Sequence, residues 1–354
     1  MTYTEGLVNG MYRADTDNSY DLIYYSLRRT AGEMPGPESD KFRKTVLKVP
    51  DRGFPGRQFI LDQVFLKNYL QGKKADVFHR PSGYTLPDTN KVFKVLTVHD
   101  LRTLTMSDQF WAQNVSQYEK ALSKADRVVV VSECTKKDLI DHFHMNEKKI
   151  RVAHLGADER YRRSGDAEIA SIKRKYGLDK PFFMSVGSVP RKNIDGIIRA
   201  FAKCRFNKDY LLVLNCKFEV EKYTQMGRDL GVDRSMVFVQ NVSDDDLVAL
   251  YSACHCFAFP SLYEGFGLPI LEAMHCGAPV ITANISSCPE VAGDAALLVD
   301  PQNIDEIAEA MDQMCRDAQL REAFVRKGYE RAKLFSWNKF AQEMKAVYQA
   351  ANKG

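Results

Sequence analysis

The stretch CFAFPSLYEGFGLPILEAMHCGAPVIT, Cys256 to Thr282, decides how the rest of the chain is read. An apolar run ends at Phe259, and Pro260 and Ser261 break it. A loop follows, with Glu264, Gly265, Phe266 and Gly267. Pro269 suits the start of a helix, because its fixed φ matches the first helical position and its missing N–H costs nothing there. Ile270, Leu271, Ala273 and Met274 supply the apolar helical residues. Gly277 suits the left-handed position just past a helix end, with Pro279 after it. Val280 and Ile281 begin another buried strand. Strand, glycine-rich loop, helix and strand make a right-handed crossover in a parallel sheet.

Two carboxylates flank these glycines. Glu264 belongs to the loop, and Glu272 is expected in the first turn of the helix. A helix N-terminus offers unpaired N–H groups and a positive dipole end, which suit a phosphate. Glycines let the backbone approach a ligand, and a nearby carboxylate accepts hydrogen bonds from sugar hydroxyls. The stretch therefore suits a phosphorylated sugar or a nucleotide. The same residues also suit a plain turn with solvated acids. A capping box fits poorly, because Leu268 rather than Ser, Thr, Asp or Asn precedes Pro269.

Glu264 to Glu272, E-G-F-G-L-P-I-L-E, resembles the E-x7-E motif of retaining glycosyltransferases of family four. The flanks FPSLYEGFGLPILEAMHCGAPVI and SSCPEVAGDAALLVDPQN match the family context too. The resemblance runs in chain order from Met1 to Ala350. It implies the GT-B fold: an α/β protein of two Rossmann-like domains facing a cleft.

A chain of 354 residues suits two domains, each with its own core. With 45% hydrophobic and 27% charged residues it has the composition of a globular protein. There is no apolar run of membrane-spanning length, and the opening does not read as a signal peptide. The net charge of +4 fits an anionic ligand or peripheral contact with acidic lipid without demanding either. The expected location is cytoplasmic, with room for peripheral contact at the inner membrane face. Among eight cysteines the C-x2-C spacing of zinc sites is absent, which favours buried free thiols in a reducing compartment.

Residues 1–158 read as the first domain. Thr4 to Arg13 forms an amphipathic helix, and the first clear strand, Tyr20 to Leu27, follows it. A doubly wound domain opens with a strand and a glycine-rich turn, so this domain is expected to lack its first strand. Val92 to Val98 should then lose a pairing partner. Either Tyr20 to Leu27 shifts to fill the gap, or the domain is marginally stable. Arg29 to Pro55 reads as a long loop or lid, Gln58 to Leu70 as a helix and Asp76 to His79 as a short strand. Asp76 to Pro87 resembles the family stretch that faces the acceptor. Val92 to Val98 is a buried strand ending in His99, Asp100 and Leu101, which resembles the family's H-D-L motif and implies a site role for His99. Ser107 to Lys124 is helical, and Val128 to Val131 is a strand. Ser132 suits an N-cap.

Residues 159–335 read as the nucleotide-sugar domain, and 336–354 as a helix crossing back to the first domain. Phe182 to Val186 is a strand, and Gly187 to Asn193, GSVPRKN, is the loop after it. In the family this loop supplies a basic pair to the donor diphosphate, here Arg191 and Lys192, with Gly187 against the ligand. Arg forks onto phosphate oxygens and Lys adds a point charge. Family members often carry glycines after the next strand, where this chain has Asn215, Cys216 and Lys217. The turn holding Asn241 and Val242 lies against the nucleotide base in the family.

These resemblances imply a retaining glycosyltransferase. Arg191 and Lys192 would neutralise the leaving diphosphate, Glu272 would hold the ribose diol, and Glu264 would orient the donor sugar near its anomeric carbon. His99 would hold that sugar or stabilise developing positive charge through its carbonyl. Gly265, Phe266, Gly267 and Leu268 would line the donor site. No cofactor and no metal are expected, since the cations are built in and no D-x-D pair lies in a metal-binding setting. The expected partners are a nucleotide sugar and a glycan or lipid-linked saccharide acceptor, not nucleic acid. V-H-D-L with P-R-K-N leans towards GDP-mannose. The rivals are a non-catalytic donor-binding relative and a nucleotide-sugar epimerase. Glycoside hydrolysis fits poorly, because its two carboxyls must flank one glycosidic bond.

Overall fold

The computed structural model describes residues 3–25, 29, 31–48, 60–83, 85–101 and 109–353. The chain divides into two compact units, Met1–Gly156 with Ser336–Gly354, and Ala157–Phe335.

The unit Ala157–Phe335 is built on a six-stranded parallel sheet. Its strands are β7 (Phe182–Val186), β8 (Leu211–Asn215), β9 (Met236–Val239), β10 (Cys256–Phe259), β11 (Val280–Ala283) and β12 (Leu297–Val299), in the order β12-β11-β10-β7-β8-β9. The runs FFMSV, LLVL, CFAF and VITA are almost wholly apolar because a parallel sheet is covered on both faces. Ile194, Ile197, Ile198 and Phe201 of one helix and Ile307, Met311 and Met314 of another fill the core against β7 and β8. The sheet grows from β7 in both directions. Strands β8 and β9 lie on one side, and β10, β11 and β12 on the other. The order therefore reverses between β7 and β10, where their carboxyl ends open a crevice. Val186 pairs with Asn215, and Asn215 with Val239, so the loops after β7, β8 and β9 leave the sheet at one level. Ala318–Ala332 is a helix that the sequence pattern does not announce. Only Phe324, Gly328 and Ala332 are buried in it, a stripe one residue wide.

The other unit carries two parallel sheets. One holds β3 (Val77–Arg80), β4 (Phe93–Val98), β5 (Arg127–Val130) and β6 (Ile150–Val152) in sequential order. The other pairs β1 (Tyr20–Tyr25) with β2 (Phe42–Leu47). Two expectations are corrected here. Strand β4 does not lose a partner: Val95 pairs with His79 on one side and Arg127 on the other. Tyr20–Tyr25 does not move into this sheet; it pairs instead with a strand inside the supposed loop 29–55. That strand, FRKTVL, is short and half polar, but Thr45 and Val46 favour extended backbone. The rest of the loop expectation, at positions 30 and 49–55, lies outside the described residues. So do Leu27, Gln58, Phe59, Tyr84 and Ser107. In the expected helix up to Leu70, Leu61–Leu66 winds as π turns before the α-helix Lys67–Gly72. Ser132 does cap its helix, with its hydroxyl accepting from Thr135 N at 3.0 Å.

The last helix, Trp337–Gln349, packs on the first, Tyr3–Ala14. Phe340 meets the Tyr3 ring edge-on at 5.4 Å. A buried polar chain runs behind them. Tyr348 OH lies 2.7 Å from His79 Nδ1, His79 Nε2 lies 2.8 Å from Thr97 Oγ1, and Thr97 Oγ1 lies 2.9 Å from Tyr3 OH. Burial pushes the His79 imidazole down to about 3. The unfolded chain takes that proton first, near pH ~6.5. Stability is therefore intact above that value and falls as pH drops towards about 3, by up to about 1.4 kcal/mol per pH unit. His79→Gln should flatten this acid limb, measured by urea unfolding at pH 7 and pH 5. An unchanged limb would place the titrating group elsewhere.

Candidate active site

The crevice between β7 and β10 gathers the charged residues. Gly187 follows β7 with φ +101, and a Cβ there would meet Lys192 Cγ at 2.7 Å. Only glycine allows both that backbone and the close passage of the lysine stem. Pro190–Lys192 forms one 3-10 turn, closed by Asn193 in the left-handed region. The loops of the two strands are stitched together. Leu262 N donates to Arg191 O at 2.8 Å, and Asn193 Nδ2 donates to Pro260 O at 3.1 Å and Pro301 O at 2.7 Å.

Glu264 sits at the centre, 5% exposed. Lys192 Nζ lies 2.6 Å from its Oε1, and Arg191 Nη1 lies 2.7 Å from its Oε2. Ser261 donates to Oε1 at 2.7 Å. The Lys192 ammonium also stands over the Phe259 ring, 4.4 Å from its centroid. Burial pushes the Glu264 carboxyl up, but Lys192 and Arg191 outweigh it and hold the group below the ordinary carboxylate range. Burial, with Arg191 beside it, lowers the Lys192 ammonium against the pull of Glu264. Arg191 Nε is buried and has no hydrogen-bond partner among the described residues. Buried N–H donors are nearly always paired, so this one marks a place where an acceptor is due. The loop itself is held from below. Ser286 Oγ accepts from Glu264 N at 3.0 Å and donates to Glu264 O at 2.6 Å, and Ser287 Oγ lies 2.8 Å from Phe266 O.

Beyond the loop, Gly267 with φ +102 starts the helix Leu268–His275. Glu272 is its fifth residue and lies in the second turn, not the first, because the helix begins before Pro269. Its carboxylate is further from the helix N-terminus than the sequence implied. Tyr251 OH donates to Glu272 Oε2 at 3.1 Å, and the Tyr161 phenol reaches the same group. Burial raises the Glu272 carboxyl above the ordinary range, with the two tyrosines pulling the other way.

The structure thus brings Gly187, Arg191, Lys192 and Glu264 into one cluster. Gly265 to Leu268 and Glu272 continue from it, and Asn241 and Val242 follow β9 on the same sheet edge. His99 belongs to the other unit, at the end of β4. Its Nε2 lies 2.8 Å from Pro81 O, and its ring meets Tyr3 edge-on at 4.4 Å. Burial lowers its imidazole, and its Nε2–H donates to that backbone carbonyl. Sequence reasoning missed Ser261, Asn193, Ser286, Ser287, Tyr161 and Tyr251. Ser261 and Asn193 adjoin the motif residues, and the other four lie apart from them in sequence and are brought in by packing. Among the described residues no group of three or more His, Cys, Asp or Glu is placed to hold a metal ion. No described helix is long and apolar enough to cross a membrane.

Residues 168–331 match the family described as glycosyl transferases group 1, and residues 20–161 match glycosyltransferase family 4. The chain is 32% identical over 278 residues to O-antigen chain mannosyltransferase B of Escherichia coli, covering 76% of this chain and 72% of that one. It is 30% identical over 361 residues to the serotype-specific mannosyltransferase WbdA of Escherichia coli, covering 94% of this chain and 43% of that one. The chain therefore spans less than half the length of WbdA. Among solved structures it is similar to sucrose-phosphate synthase from Thermosynechococcus elongatus, with TM-score 0.76, 20% identity and coverage of 98% and 92%. Anabaena HepE, solved in complex with UDP-glucose, gives TM-score 0.70, 17% identity and coverage of 93% and 100%. The fold is that of the GT-B glycosyltransferases, α/β with two Rossmann-like units of parallel sheet. The chain belongs to the group 1, family 4 glycosyltransferases, and it is an enzyme of that class.

Removing Glu264 strands two neighbouring cations in a buried place. Glu264→Ala should destabilise the unit Ala157–Phe335 by about 3–5 kcal/mol, measured by denaturant unfolding at neutral pH. A change within error would mean that water already solvates Arg191 and Lys192.

Proposed function

We infer that the chain transfers a hexose from a nucleotide-diphosphate sugar to a glycan or lipid-linked saccharide, with retention at the anomeric carbon. The observation that carries this is the Arg191–Lys192 cluster at the sheet reversal, with a buried N–H of Arg191 left over for an anion. A diphosphate supplies the oxygens that such a group lacks. Mannose is the favoured sugar and GDP-mannose the favoured donor, because the relatives at 30–32% identity are named mannosyltransferases. Their names also favour a growing saccharide chain as acceptor.

The donor's bond between the anomeric carbon and the diphosphate oxygen breaks, and that oxygen keeps the electron pair. Arg191 and Lys192 stabilise the charge as it develops there, which is where preorganised donors are worth most. The acceptor hydroxyl forms the new bond on the same face of the sugar, and its proton passes to a phosphate oxygen. Glu264 holds both cations in place. With three donors already on it, Glu264 has one acceptor position left for a hydroxyl of the donor sugar. Glu272 takes the ribose hydroxyls, and Asn241 and Val242 flank the base.

Arg191→Ala with Lys192→Ala should weaken GDP binding at least 100-fold, following about 1.5–3 kcal/mol for each charged hydrogen bond lost, and abolish transfer. Calorimetry and product analysis test this together. Binding equal to wild type would reject the diphosphate site, and a free epimer in place of a glycoside would reject transfer. Transfer should also survive excess EDTA, since fixed cations carry the charge. Complete loss restored by magnesium or manganese would assign that task to a metal.

A further inference from the structure

The two glutamates of the site have opposite surroundings. Glu264 accepts from Lys192, Arg191 and Ser261, and a carboxylate has only about four acceptor positions. Among the described residues Glu272 forms no ion pair. It accepts from two neutral phenols, Tyr251 OH at 3.1 Å and Tyr161. About two acceptor positions therefore remain on Glu272. A vicinal diol brings two O–H donors, which matches that remainder.

The phenols are held firmly. Tyr251 is fully buried on the helix Asp244–Ala253, with its ring edge-on to Phe257 at 5.1 Å. Tyr161 comes from a different segment, where its N–H donates to Asp158 O at 3.0 Å, and its ring meets Tyr251 edge-on at 6.1 Å. Two rigid donors from separate parts of the chain converge on one flexible side chain.

We propose that Tyr251 and Tyr161 are positioning residues for donor recognition: they hold the Glu272 carboxylate in the rotamer that presents its remaining acceptor positions to the ribose hydroxyls of the donor. The assignment rests on the nucleotide-sugar site above. Neither tyrosine touches the substrate; both act through Glu272. The choice of phenols has a physical reason. A guanidinium or ammonium would draw the carboxylate into an ion pair and use up its acceptor positions, as happens at Glu264. A neutral donor orients the group and leaves it rich in acceptors. A glutamate already fixed also loses little rotamer freedom when the ligand arrives, whereas a free one loses much.

Tyr251→Phe deletes one oxygen and keeps the ring packing. Binding of GDP, UDP and their 2′,3′-dideoxy counterparts should be measured by calorimetry in wild type, Tyr251→Phe, Glu272→Gln and the double variant. The wild type should prefer the natural diphosphate to the dideoxy form. Tyr251→Phe should weaken the natural diphosphate about tenfold, in line with one lost hydrogen bond to a charged group, and leave the dideoxy form nearly unchanged. KM for the donor should rise with kcat within about twofold, as expected when only uniform binding is lost. In the Glu272→Gln background Tyr251→Phe should add little, because residues acting as one unit are non-additive. Equal weakening of both ligands, or full additivity with Glu272→Gln, would overturn the positioning role. If the wild type binds neither GDP nor UDP, the donor site itself is rejected and the role falls with it. Tyr161→Phe is the second variant, read by the same criteria if Tyr251→Phe does not fold.

Discussion

A buried carboxylate shared by two cations governs the edge of residues 157–335 where the strand order reverses. Glu264 joins the loop after β10 to the turn after β7, across the line where the strand order reverses. The backbone stitches of Arg191, Asn193 and Leu262 follow the same seam. Burying such a cluster rarely adds stability over a well-packed apolar core, so its retention needs another reason. Two cations against one carboxylate leave the cluster net positive, already desolvated and already oriented. An anion that arrives there meets donors that need not reorganise. The same low-dielectric walls strengthen each contact it makes.

The contrast with Glu272 shows how one short motif yields two chemically different acids. Both are glutamates eight positions apart on one loop and helix. Cations lower the first, and burial raises the second. Each difference comes from neighbours brought in by packing, not from the motif. The carboxylates were legible in sequence because their spacing and glycines are local. Arg191 and Lys192 were legible because a strand end followed by a basic turn is local too. Ser286, Ser287, Tyr161 and Tyr251 were not, because each reaches the site through a side-chain contact that no nearby pattern encodes.

The fold shows the same division. Apolar runs such as FFMSV and CFAF announce buried parallel strands, and Ser132 announces its own cap. Strand neighbours are another matter. The expectation that β4 would lose a partner assumed a sheet order, and parallel pairing joins segments that lie far apart in sequence. Phe42–Leu47 escaped notice because half of its side chains are polar, and only its partner β1 explains it as a strand. A helix opening at Pro269 would put Glu272 at its fourth residue; Gly267 already turns the chain into the helix at Leu268, one residue earlier, which moves Glu272 into the second turn.

The last helix has a consequence for synthesis on the ribosome. Trp337, Phe340 and Tyr348 complete a core begun by Tyr3, Gly6 and His79, more than 250 residues earlier in translation order. Ala157–Phe335 has all its strands in one continuous segment and can close as soon as it emerges. Met1–Gly156 must wait through that interval with Tyr3 and His79 uncovered. Of the two units, Met1–Gly156 is therefore translated before Ala157–Phe335 and completed after it.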